Sequence, residues 1–256
     1  MTATAWYLYG LVDRPALAEV LAGSPVEGLS GPIHAIEAGG LSLALAPCEP
    51  GPVPPKRRHM KAHLRVLEQL MGFGTVLPFR FGHVSRDPGE VTRLIEAAGD
   101  EIAGNFATVT GFHELGLRVD FGREDALAAT LEADPGLVRL RDQLNGRGGG
   151  RRMDQIELGR RVAEALDRRR TAAQRQLVRQ LAPLARSHVL EAPEEDTQVL
   201  KAAFLVATGA EDRFAAAAEE AAQDCSFAPG AMPRIRIVGP VPPFSFVSLH
   251  LGAEAG

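Results

Sequence analysis

Two short apolar runs, Ile33 to Glu37 and Leu41 to Ala46, flank Gly39-Gly40, and this local order constrains the chain more than any other feature in it. A Gly-Gly pair between such runs predicts a β-hairpin, because glycine reaches the positive φ angles that a tight turn needs. Leu41, Leu43 and Leu45 alternate, as one buried face of a strand requires. A strand-helix unit precedes the hairpin. Trp6 to Val12 is aromatic and β-branched and reads as a strand. Asp13 as N-cap, Pro15 in the first turn and Gly23 at the end bracket a short helix bearing Leu17, Val20 and Leu21. A helix-strand unit follows. Pro47, Pro50, Pro52, Pro54 and Pro55 form a stiff connector. After it, Met60, Leu64, Leu67 and Met71 mark one stripe of a helix from about Lys56 to Gly72. Thr75 to Val84, interrupted by Pro78, reads as an edge strand or a bent one. The sum is β-α-β-β-α-β, the ferredoxin-like order.

Asp87-Pro88-Gly89-Glu90 starts a further helix, with Val91, Leu94, Ile95, Ala98, Ile102 and Phe106 on its apolar face, expected to bridge two domains. The second half opens with a half-buried strand, Glu114 to Phe121. Residues 124–144 read as helix broken at Asp134-Pro135-Gly136, and 146–150 as a glycine-rich loop. A long helix runs from about Arg152 to Ser187, with a kink expected at Pro183. Then come a strand (Leu200 to Ala207), an alanine-rich helix (Glu211 to Gln223) and strands around Ile235 to Val238 and Phe244 to Leu249. The fold class expected is α+β in two domains. Residues 1–110 form a ferredoxin-like domain with the bridging helix. Residues 111–256 form a second α+β domain, a ferredoxin-like variant holding the long basic helix and a proline-rich tail.

Composition narrows the function classes. With 256 residues, 45% hydrophobic and 23% charged, the chain can bury a substantial core without staples. Cys48 and Cys225 stand far apart, which argues for a reducing compartment. No basic and apolar leader opens the sequence, and no apolar run approaches the ~20 residues of a membrane span. The expected location is the cytoplasm, without membrane contact. The net charge of −4 gives no global pull toward nucleic acid, yet eleven arginines face four acids between Arg147 and Arg186. That stretch is either a solvated helix face or a polyanion-binding surface.

No residue set argues for catalysis. His59 and His63 have metal-ligand spacing, but no glutamate or third ligand completes a site, and His63 falls in the apolar stripe. The loop at 146–150 lacks both the phosphate-loop and the dinucleotide patterns. Cys225 has no basic neighbour in sequence to lower its pKa. Phe79-Arg80-Phe81-Gly82 has aromatics in the wrong order for an RNA-recognition strand. The expectation is a non-enzyme with no cofactor and no metal.

Three stretches carry a resemblance. They are Trp6-Tyr7-Leu8-Tyr9-Gly10-Leu11-Val12; His63 to Glu68 followed by Gly74-Thr75-Val76-Leu77-Pro78-Phe79-Arg80-Phe81-Gly82; and Val238-Gly239-Pro240-Val241-Pro242-Pro243-Phe244-Ser245-Phe246-Val247. Together they resemble the gas vesicle protein family GvpL/GvpF. The resemblance implies a minor gas vesicle protein tied to building the shell, at or near the gas-facing surface. It also implies contact with the small hydrophobic shell subunit and with other accessory proteins. Phe79, Arg80, Phe81, Pro242, Pro243 and Phe244 are the expected partner-binding residues. On a strand Arg80 faces opposite to its two phenylalanines. It is either exposed toward a partner or buried against a carboxylate. The Pro240 to Pro243 run either wedges the last strand or docks a partner. Two other classes stay open: a small-molecule-binding regulatory module on a ferredoxin-like scaffold, and an RNA-binding protein acting through 147–186.

Overall fold

The computed structural model describes residues 5–146 and 152–249. They form two compact units. One holds the chain up to Glu114 together with the segment from Gly239 on, and the other holds Leu115–Val238. The expected boundary near residue 110 lies close to this division, but the C-terminal tail groups with the first unit and not with the second. Its side chains reach their partners there, as described below.

The first unit contains β1 (Ala5–Val12), α1 (Leu17–Gly23), β2 (His34–Ala38), β3 (Leu41–Cys48), α2 (Arg57–Met71), β4 (Val76–Pro78) and β5 (Val84–Ser85). Helices α3 (Pro88–Ala97) and α4 (Gly99–Val109) complete it. Its sheet runs β2-β3-β1-β4, with β5 also on β1, and the pairs are antiparallel. The hairpin turns at Gly39 and Gly40, both at positive φ, as its sequence requires.

Several expectations need correction. The strand expected over 75–84 is two short pieces, because Phe79 N–H bonds to the Tyr9 carbonyl and Leu8 N–H to the His83 carbonyl, leaving a turn between. Asp13 does not cap α1, whose N-cap is Ala16 without a side-chain hydrogen bond. The apolar stripe of α2 is rotated from the expected one: His63, Val66, Leu67 and Leu70 are buried and Met60 is 50% exposed. The single helix expected after residue 87 is two, broken at Ala98. Its start is as expected, with the Asp87 carboxylate accepting from Gly89 N–H at 2.8 Å.

The second unit contains β6 (Phe112–Asp120), α5 (Arg123–Ala133), α6 (Pro135–Gly146), α7 (Arg152–Leu181), β7 (Ser187–Leu190), β8 (Gln198–Ala207), α8 (Glu211–Gln223) and β9 (Arg234–Val241). Its sheet runs β7-β8-β6-β9. Counted within each unit, both sheets therefore have the order second-third-first-fourth. The long helix ends before Pro183, and Ser187–Leu190 is strand, paired with β8. The strand expected over 244–249 is irregular, with Phe244 N–H turned back onto the Pro242 carbonyl. One apolar core fills this unit, with Phe121, Phe204, Phe214, Phe227 and Leu177 fully buried. The expected glycine-rich loop falls largely outside the described residues.

Candidate functional site

The three quoted stretches meet at one histidine. β1 brings Tyr7 and Tyr9 to the same sheet face, since strand side chains alternate. α2 lays His63 against them, only 3% exposed. The Tyr9 and His63 rings stack at 5.5 Å and 16°, while Tyr7 stands edge-on to His63 at 5.6 Å. Phe81 meets the His63 ring edge-on at 5.8 Å, and Phe244 lies 6.4 Å from it.

Hydrogen bonds set the order of this cluster. The Phe79 carbonyl can only accept, so the Nε2 of His63, 3.2 Å away, carries the ring proton. Nδ1 is then an acceptor, and the Tyr7 hydroxyl donates to it at 2.9 Å. The same hydroxyl accepts from Gly82 N–H at 3.0 Å. Tyr9 O accepts from Leu29 N–H at 2.8 Å. Both ring nitrogens of a neutral imidazole are thus satisfied, as a buried polar group requires. Burial pulls the His63 pKa down to about 4, and it pushes Tyr9 up to about 12 and Tyr7 higher.

Backbone geometry explains two glycines of the motifs. A Cβ at Gly10 would lie 2.5 Å from the Leu77 carbonyl oxygen, so only glycine lets β1 meet β4 there. Gly82 takes φ +91° and gives its N–H to Tyr7.

The tail completes the site. Glu114, 8% exposed, accepts from Ser245 N–H at 2.7 Å and from its hydroxyl at 2.8 Å. Asn105 holds the Ser248 backbone through both its amide groups. The expected partner-binding residues divide accordingly. Phe79, Pro242 and Pro243 are buried. Phe81 and Phe244 are half-buried against His63, and Arg80 is exposed. Arg80 is therefore not buried against a carboxylate, the second of its two anticipated arrangements, while Phe79 is buried and Phe81 half-buried.

Sequence reasoning missed Tyr7, Tyr9, Glu114 and Asn105. Only Glu114 had a local signal, an acid opening an otherwise alternating strand. The metal-ligand spacing of His59 and His63 does not bring the two rings together: His59 Nδ1 lies 3.0 Å from the Pro54 carbonyl, while His63 is buried in the core. Among the described residues no cluster of three His, Cys, Asp or Glu could hold a metal. Burial raises the pKa of both Cys48 and Cys225. Four of the eight arginines of α7 are engaged. Arg160 pairs with Glu157 and Glu164, Arg161 with Glu157, and Arg170 with Asp167, while Arg169 caps the Ser226 and Phe227 carbonyls. An apolar crevice of about 260 Å³ between Leu41, Ile95, Ile102 and Phe106 has Glu96 as its one charged lining residue. Among the described residues no helix is long and apolar enough to cross a membrane.

The family model for gas vesicle synthesis protein GvpL/GvpF matches residues 5–248, which takes in all three converging stretches. The chain belongs to this family. Among its GvpL/GvpF relatives, gas vesicle protein F of Streptomyces sp. (strain CB03234) is 28% identical over 94% of this chain and 98% of its own. Gas vesicle protein F of Microcystis aeruginosa (strain PCC 7806) is 28% identical over 95% and 98%. The crystal structure of GvpF from Microcystis aeruginosa superposes with a TM-score of 0.77 at 26% identity, over 96% of this chain and 99% of that one. GvpF from Anabaena sp. PCC7120 shares the fold at a TM-score of 0.83, with 24% identity over 96% and 99%. The role of this GvpL/GvpF protein is tied to gas vesicles.

Proposed function

We propose that the protein assists gas vesicle assembly by binding the small hydrophobic shell subunit, at or near the gas-facing surface, without catalysing a reaction. The observation that carries this reading is the convergence of the three family stretches on His63, which leaves Arg80 exposed on a turn hydrogen-bonded at Phe79 and Gly82. Arg80 makes no ion pair or hydrogen bond through its side chain among the described residues. A guanidinium presented on an ordered loop suits a carboxylate or backbone carbonyl of a partner. The half-exposed rings of Phe81 and Phe244 give apolar surface against the same His63. A hydrophobic shell subunit in water aggregates unless such a surface covers it.

Co-purification with co-expressed shell subunit tests the reading. Wild type should retain the subunit, and Arg80→Ala, still folded, should retain several-fold less. No capture by the wild type sinks direct shell binding, and undiminished capture by Arg80→Ala removes this turn from the interface.

A further inference from the structure

We propose that the outer face of α2, between Lys56 and Arg65, docks an acidic, partly aliphatic segment of another polypeptide. Lys56, Arg57, Arg58, Lys61 and Arg65 are all exposed. None forms an ion pair among the described residues, and Arg58 bonds only to the neighbouring His59 ring. Arg57, Lys61 and Arg65 recur every four residues and so make one ridge of like charge, an arrangement that destabilises a helix. The placement along the helix is adverse too. Cations crowd the positive end of the backbone dipole, where α2 has no acid in its first turn and no side-chain cap.

The 157–170 stretch of the other basic helix shows what a merely solvated face looks like. In α7, Glu157, Glu164 and Asp167 neutralise Arg160, Arg161 and Arg170 at helical spacing. α2 has no such acids near its start, and its charge is left for something outside the described residues. A segment that breaks local rules with no compensating gain inside the fold is where a binding function is expected.

Charge complementarity names the occupant as anionic, and the apolar neighbours refine it. Met60, 50% exposed, and the half-buried Leu64 lie beside the ridge, three residues on from Arg57 and Lys61. Carboxylates interleaved with aliphatic side chains match that surface. Nucleic acid fits it less well. No exposed residue of this face offers a ring for a base to stack on, and the chain's net charge of −4 repels a long polyanion. This surface is independent of Arg80, so it stands or falls separately from shell-subunit capture.

The test is fluorescence anisotropy of the full chain with a labelled peptide of repeated Glu-Glu-Leu, at about 50 mM and about 0.3 M salt. Binding should weaken with salt and fall at least about tenfold in Arg57→Glu/Lys61→Glu/Arg65→Glu. The melting temperature of that variant should hold or rise, since acids suit a helix start. The alanine version of the same three changes should lose binding similarly. Arg175→Glu/Arg179→Glu, on exposed positions of α7, should bind like wild type. The proposal is overturned if both α2 variants bind unchanged or if the α7 variant loses as much. Tighter binding of single-stranded DNA or anionic lipid vesicles than of the peptide at the higher salt overturns it as well.

Discussion

In the first unit, the sheet face under α2 carries two tyrosines packed on the helix's His63, Tyr7 hydrogen-bonded to it and Tyr9 stacked on it. In the second, the space between a sheet of the same strand order and helices α7 and α8 holds Leu, Val, Ala and Phe side chains. The difference separates two tasks. An apolar core stabilises without saying where a loop must sit, because dispersion and burial have no direction. The Tyr7–His63 pair fixes direction: it seats the turn at 79–82 through Phe79 and Gly82, while Tyr9 seats Leu29. Satisfied buried polar networks specify one arrangement, at the cost of being fragile when a member is removed. The turn at 79–82 is on the unit with the directional core.

The largest expected effect breaks the second unit alone. Phe204→Ala removes a fully buried ring and should cost about 3–5 kcal/mol in urea unfolding. Trp6, the single tryptophan, sits on β1, so its fluorescence reports the first unit and should shift little until that unit itself unfolds.

Acid should act in the opposite sense, on the first unit. The folded pKa of His63 is about 4, below its ordinary value near 6.5. The unfolded chain therefore takes up the proton first. The stabilisation is present above about pH 6.5 and is lost as pH falls from there toward 4, about 3 kcal/mol in all. A Trp6-detected urea midpoint that stays flat across this window would remove the buried neutral imidazole from the account. His63→Gln should lower the midpoint at neutral pH and flatten its dependence.

Tyr7→Phe sharpens the comparison further. It leaves the ring but strands Nδ1 of His63 and the Gly82 N–H, and should cost about 1–3 kcal/mol. It should also loosen the turn at 79–82, seen as faster amide exchange at Gly82. The smallest effect is Asp87→Ala, which removes the cap of α3 and should lower stability by about 1 kcal/mol. A loss as large as that of Phe204→Ala would mean α3 contributes more to the first unit than its cap.

What the sequence made legible was local. The hairpin at Gly39-Gly40, the cap at Asp87 and the break at Asp134 follow from residues within a few positions of each other. The split of the strand expected over 75–84 depends on hydrogen bonds to Tyr9 and Leu8, some seventy residues away, and no local pattern encodes it. The phase of α2 was misread for a related reason. A histidine counts as polar in a periodicity, yet His63 is the residue most enclosed by rings, and Met60 faces out. The family stretches pointed to Phe79, Arg80, Phe81 and Phe244 without saying that their shared centre is His63. The buried Glu114 showed only as an acid opening an alternating strand, and its anchoring of the tail was not legible because its partner Ser245 is far off in sequence.

The return of the C-terminal segment to the first unit has a consequence for synthesis. The ribosome makes β1, α2 and the 79–82 turn early but delivers Phe244 and Ser245 only after the whole second unit. At ~5–20 residues per second, that delay is on the order of ten seconds. Throughout it, one side of the His63 ring lacks Phe244, and the Glu114 carboxylate lacks Ser245. The part of the molecule translated first is thus finished last. A nascent or truncated chain advertises an open aromatic edge that the complete one has closed.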